Sequence, residues 1–143
     1  MIAQRRTKLT AAQERRAYKV AATRDGVTDD RLGWCVMCRR FRIVQMDHRQ
    51  NRDPFNTAPS NLQALCVDDH KWKTEHPREA ADAGLTVPRN IGDLTPADVP
   101  ARRWIGGRFG TMRLAWVLYG DDGSVLEIDE REAWFRRRKA GIV

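Results

Sequence analysis

No stretch of this chain approaches the ~20 consecutive apolar residues that span a bilayer, so no membrane helix is expected. The N-terminal segment MIAQRRTKLTAAQERRAYKV has charges but no apolar core of the secretory type, which makes a cytoplasmic protein the default expectation. Cysteine is scarce, and the count of three is odd, which argues against a closed disulfide framework. Cys35 and Cys38 stand as C-V-M-C, with Cys66 well downstream. In a reducing compartment that spacing points to metal ligation or to redox chemistry. Internal repeats are absent as well, which excludes a solenoid.

What is present is basic charge. Lys and Arg total 26 against 19 Asp and Glu, a formal charge of +7. Such an excess draws phosphate polymers by counterion release, although it also suits an anionic surface or plain solubility. With 143 residues, 41% hydrophobic and 31% charged, the chain is the size of one globular domain.

Glycine and proline are missing from Leu9 to Thr23, a segment of Ala, Arg, Glu and Gln that reads as a basic helix. Thr10 can cap it, with Gln13 as the capping-box partner. Two short strands are expected at Trp34-Cys35 and Phe41–Val44, and a loop from Gln50 to Ser60. Ser60 is expected to cap a short helical turn carrying Asn61, Leu62 and Leu65. A helix follows from Val67 to Ala83, stopping at Gly84, with Pro77 ending its first part near His76. Residues 85–107 read as a connector. A strand over Met112–Tyr119, a turn at Asp121–Ser124, a strand over Val125–Ile128 and a helix capped by Asp129 complete the chain. The last helix carries Arg136, Arg137, Arg138 and Lys139 at its C-terminal end, where cations suit the helix dipole.

Cys35, Cys38, Asp47, His48, Asn61, Cys66 and His70 form one ordered set: C-x2-C, D-H, then N-L-Q-A-L-C with a His four residues on. From Trp34 to Val87 the chain resembles the HNH endonucleases with a zinc-knuckle framework, notably phage and actinobacterial ones. The resemblance implies a small ββα-metal core, and with the N-terminal basic helix and the C-terminal β-hairpin plus helix read above, the expected fold is α+β. Three segments are expected: 1–30 as the extension, 31–88 as the nuclease core and 89–143 as the accessory region. The looser match of Thr95–Pro100 to a segment that follows this core in such proteins points the same way.

The chemistry implied is metal-dependent hydrolysis of DNA phosphodiester bonds. An imidazole titrates near neutrality, which suits His48 to act as general base. Asp47 and His70 are the expected ligands of a divalent ion, Mg2+ or Mn2+, that neutralises developing charge. Because neighbouring strand residues point to opposite faces, Asp47 and His48 require a twist or bend at the strand end. Asn61 would pin the loop or orient His48, and is assigned the orienting role. Arg49, Arg52, Lys71 and Lys73 flank the site as candidate phosphate contacts. His76 is placed outside the site as a helix-end residue, and Trp72 in the core.

The knuckle departs from the family pattern, since Asp69 stands where a fourth thiolate is usual. A structural Zn2+ held by Cys35, Cys38, Cys66 and Asp69 is the first reading, because zinc accepts carboxylate oxygen. A metal-free thiol cluster and a three-thiolate site completed by water remain open. Implied partners are DNA and, for a phage-like member, a terminase; homing or restriction are equally compatible roles. Two readings from other classes compete: a non-catalytic zinc-knuckle module that binds nucleic acid, and a C-x2-C redox protein. The second needs the motif at a strand-to-helix junction, whereas a strand follows it here.

Overall fold

The fold is that of a computed structural model describing residues 7–106 and 110–143. The first six residues of the expected N-terminal extension, and position 107 at the end of the connector, lie outside the described residues. The chain is a small α+β protein with two three-stranded antiparallel sheets and four α-helices among the described residues. None of those helices is long and apolar enough to cross a membrane.

Helix α1 spans Ala11–Arg24 and opens on the expected capping box, Thr10 Oγ1 accepting from Gln13 N while Gln13 Oε1 accepts from Thr10 N. Its buried face is narrow: Ala17 and Ala21 pack on Leu62, with Tyr18 and Met46 beside them. Alanine at the contact lets the helix lie close on the sheet.

The first sheet has the order β1 (Leu32–Trp34), β2 (Phe41–His48), β3 (Leu62–Cys66). Strand β2 runs four residues beyond the expected Val44, through Asp47 and His48. The expected helical turn at Ser60–Leu65 is replaced by a single 3-10 turn at Pro59–Asn61 followed by β3, and Ser60 does not cap it. All five β3 residues are buried, so the alternation that marks a half-exposed strand is absent. Helix α2 (Val67–Glu75) and helix α3 (Pro77–Asp82) meet at His76, the break that Pro77 imposes. Beyond α3, Gly84 takes φ +77°, and a Cβ there would lie 2.7 Å from Arg102 N. Only glycine lets strand β4 (Ala101–Gly106) approach this turn.

That strand was not expected. It pairs with β5 (Met112–Tyr119), which pairs with β6 (Val125–Ile128), so the expected hairpin is two strands of a three-stranded sheet with β5 at its centre. Helix α4 (Glu130–Lys139) covers one face through Ala133, with Asp129 accepting from Glu132 N as its cap.

A buried polar node joins the parts. Asp25 accepts hydrogen bonds from Arg24 (2.8 and 2.9 Å), from Arg103 of β4 (2.5 Å) and from Ala64 N of β3 (3.1 Å). Burial alone would raise the Asp25 carboxyl, but the Arg24 hydrogen bond and the two guanidinium charges hold it below its ordinary value. Arg24 also donates to Pro59 O and Leu62 O and lies 4.0 Å from the Tyr119 ring centroid. The two sheets and α1 are thereby fixed to one another around β3, which carries the site.

Candidate metal centre and active-site cavity

The β2–β3 pair and α2 carry two constellations. At the end where β3 runs into α2, Cys66 closes the strand and Asp69 lies on the first turn of the helix. Across from them the C-V-M-C turn between β1 and β2 brings in Cys35 and Cys38. Arg39 holds this turn in the left-handed region at φ +64°. The ligand atoms of Cys35, Cys38, Cys66 and Asp69 all lie within 4.8 Å of one another. Asp69 Oδ2 is 3.0 Å from Cys35 Sγ and 3.3 Å from Cys66 Sγ, and the Cys38 and Cys66 sulfurs are 4.0 Å apart. A tetrahedral ion bound by sulfur at ~2.3 Å places its ligand atoms roughly 3.8 Å apart, so these four could hold a metal ion such as zinc. All three cysteines are free of disulfides. Burial pushes the Cys35 thiol well up and raises the Cys66 thiol, with hydrogen bonding to Asp69 adding to it. Thiolates in this pocket therefore need a cation, and Arg42 Nη1, 3.8 Å from Cys66 Sγ, supplies part of that charge.

The second constellation lies toward the far end of β2. Asp47 and His48 remain in regular register, opposite Gln63 and Leu62 of β3. No bend separates them: Asp47 faces α2, and His48 faces α1 and the 49–58 loop. A cavity of about 510 Å³ wraps round the strand end, so both side chains line it, together with Arg52, His70, Lys73 and Thr86. The expected twist is unnecessary because the strand stops there and leaves its end open.

Asp47 is almost fully buried, and its two oxygens differ. Oδ2 accepts from Gln63 Nε2 at 3.0 Å and from Lys73 Nζ at 2.6 Å. Oδ1 is left facing His70 Nε2 at 3.5 Å. His70 Nδ1 lies 3.0 Å from Gln45 Oε1, an acceptor, which leaves Nε2 as the ring nitrogen on the Asp47 side. One oxygen and one nitrogen thus converge at a separation suited to a shared divalent ion. The hydroxyl of Thr86, buried without a partner, lines the same cavity.

His48 Nε2 lies 2.9 Å from Thr57 Oγ1, and the Tyr18 ring meets the imidazole edge-on at 6.0 Å. Burial, with the Arg52 charge, pushes the imidazole below its ordinary value.

Three of the candidate residues are held by contacts within the protein. Asn61 does not touch His48: its Oδ1 accepts from Gln50 N at 2.7 Å and its Nδ2 donates to Gln50 O and Asn56 O, pinning the loop that carries Thr57. Arg49 is no phosphate contact. It is fully buried, donating to Ser60 O, Pro96 O and Val99 O, and burial pushes its guanidinium down to about 10. Lys73 bonds Asp47 and His48 O (2.7 Å), bracing the strand end against α2. Arg52 remains at the cavity mouth, paired with Glu14 of α1, while Lys71 is exposed on the outer face of α2. His76 caps the α2 end on Trp72 O, stacked against the Trp72 ring, which packs against the core.

Thr57, Gln45, Gln63 and Tyr18 were missed. Gln45 was legible, lying two residues before Asp47 and so on its strand face; Gln63 needed the β3 register, and nothing in the sequence marks Thr57 or Tyr18.

A second hollow of about 540 Å³ lies beside α4, but its carboxylates are engaged: Asp98 in a turn, Asp129 as a cap, Glu132 with Arg136. Comparison with family models, curated proteins and solved structures found no match to this chain.

Proposed function

We propose that the protein is a metal-dependent endonuclease of the HNH type, with β2, β3 and α2 as its ββα-metal core and a structural zinc ion in the Cys35, Cys38, Cys66, Asp69 cluster. The observation that carries the reading is the convergence of Asp47 Oδ1 and His70 Nε2 beside His48 in one cavity. A catalytic ion, Mg2+ or Mn2+, would neutralise charge on the scissile phosphate and the leaving oxygen.

The chain's own residues do the rest. His48 takes a proton from the attacking water, and Thr57 holds the ring by its hydroxyl. Asp47 presents one oxygen because Gln63 and Lys73 occupy the other. Arg52 at the mouth supplies a planar donor for a phosphate oxygen. The basic excess of the chain favours DNA as the substrate polymer. A packaging role beside a phage terminase belongs to this reading as one setting for the activity.

The alternative is a zinc-knuckle module that binds nucleic acid without cutting. The basic charge and the four-residue cluster favour it equally, but it has no use for the Asp47, His48 and His70 convergence. Incubating supercoiled plasmid with Mg2+ or Mn2+ separates the two. Nicking that is lost in His48→Ala and in EDTA is expected; plasmid binding without cutting by either protein would favour the module.

A further inference from the structure

Strand alternation places Phe41, Ile43, Gln45 and Asp47 on one face of β2. Helix α2 covers the Asp47 end, where Gln45 meets His70, and leaves the other end bare. There Phe41 is 51% exposed and Ile43 59%, and Trp34, opposite Phe41 on β1, is 49% exposed. The Trp34 and Phe41 rings are 5.3 Å apart and tilted by 60°, a paired aromatic surface rather than two scattered side chains. Apolar surface left in water at this density marks a contact site.

Its surroundings indicate the partner. Arg31 and Arg40, next to the strip in sequence, are exposed and have no carboxylate partner among the described residues, while Arg39 lies over the Trp104 ring at 5.1 Å. Asp29 and Asp30 adjoin it, while Asp68 is taken up by Arg42. Cations around exposed aromatic faces are the combination that binds single-stranded nucleic acid, where phosphates meet Arg and unstacked bases meet π-faces. A duplex offers these rings no base face.

Resting on the nuclease reading of the Asp47 cavity, we infer that the Trp34–Phe41–Ile43 strip is a stacking platform for unpaired bases of the strand entering that cavity. The enzyme then favours substrates that are single-stranded on one side of the cut. Asp47 lies six residue steps along the strand from Phe41, about 20 Å at ~3.3 Å per step. At the ~3.4 Å step of a stacked strand that distance is about six nucleotides, an upper bound for a strand whose bases unstack.

The test is fluorescence anisotropy of labelled oligo(dT) of graded length, and of a duplex, with zinc-loaded His48→Ala protein and no Mg2+ or Mn2+. Two double variants are made in that background: Trp34→Ala with Phe41→Ala, and Trp34→Leu with Phe41→Leu, which keeps apolar bulk without rings. Affinity for a strand of about 12 nucleotides should fall about tenfold or more in both, and duplex affinity by less than about twofold. In the parent, affinity should climb steeply up to about six nucleotides. Equal losses on strand and duplex, or full affinity in the leucine pair, would overturn the platform. So would a dimer of the parent that the variants dissociate, since the strip would then be covered by a second copy. A parent that binds no oligonucleotide at all removes the nuclease reading together with the platform, whereas strong binding that survives both variants removes the platform alone.

Discussion

The two ends of the β2–β3–α2 unit hold donor sets of opposite character. At the C-V-M-C end, four side chains from two turns close on one point, with Cys35 and Cys66 buried. At the His48 end, Asp47 and His70 offer only two donor atoms, and the rest of the space is a cavity open at its mouth. A closed set with no free position suits an ion that holds a fold, and an open one suits an ion that must admit substrate. The same helix serves both, Asp69 on its first turn and His70 next in sequence, turned toward the cavity.

This contrast sets the order of the expected effects. Cys66→Ser should be the most damaging change, since it breaks the closed set at the strand–helix junction. Tm by calorimetry should drop by ~10 °C or more, with zinc lost and cleavage lost alongside. A variant that keeps its Tm would make the cluster dispensable. His48→Ala should do the reverse, cutting hydrolysis by roughly 10²–10⁴-fold with Tm changed by only a few degrees. Comparable loss of stability would merge the two ends into one structural site. Asn61→Ala falls between them. It strands the Gln50 amide and frees the loop behind His48, so a cost of about 1–3 kcal/mol in urea unfolding should accompany a partial loss of rate. Asp69→Cys sharpens the contrast: zinc should be held roughly tenfold more tightly in a chelator competition, with cleavage unchanged. Lys71→Ala is the smallest, below about 0.5 kcal/mol, because its pair with Glu75 is solvent-exposed; if Lys71 meets phosphate, the salt slope of DNA binding falls by about one.

The closed end was legible in the sequence because cysteine spacing is local. C-x2-C fixes a turn, and Cys66 to Asp69 fixes a helix start. The open end was legible as a set of residue types but not as a geometry. Strand β3 is buried on both faces, so Leu62–Cys66 lacked the alternation that would have identified it. Without that strand the Gln63 bond to Asp47 could not be foreseen. Arg49 shows the same limit from the other side. An arginine beside a D-H pair suggests a phosphate contact, yet three carbonyls from the 3-10 turn at Pro59–Asn61 and the 95–100 segment bury it. Strand β4 was hidden by the prolines that precede it, Pro96 and Pro100, although Gly106-Gly107 at its end is a turn pair of the kind that joins hairpin strands.

Titration calorimetry of Mn2+ into zinc-loaded protein and the variants Asp47→Ala, His70→Ala and His48→Ala tests the two-ended account most directly. The expected result is one Mn2+ site that weakens in the first two variants and persists in His48→Ala, with zinc content the same in all four proteins. Unchanged Mn2+ binding in both Asp47→Ala and His70→Ala would contradict it.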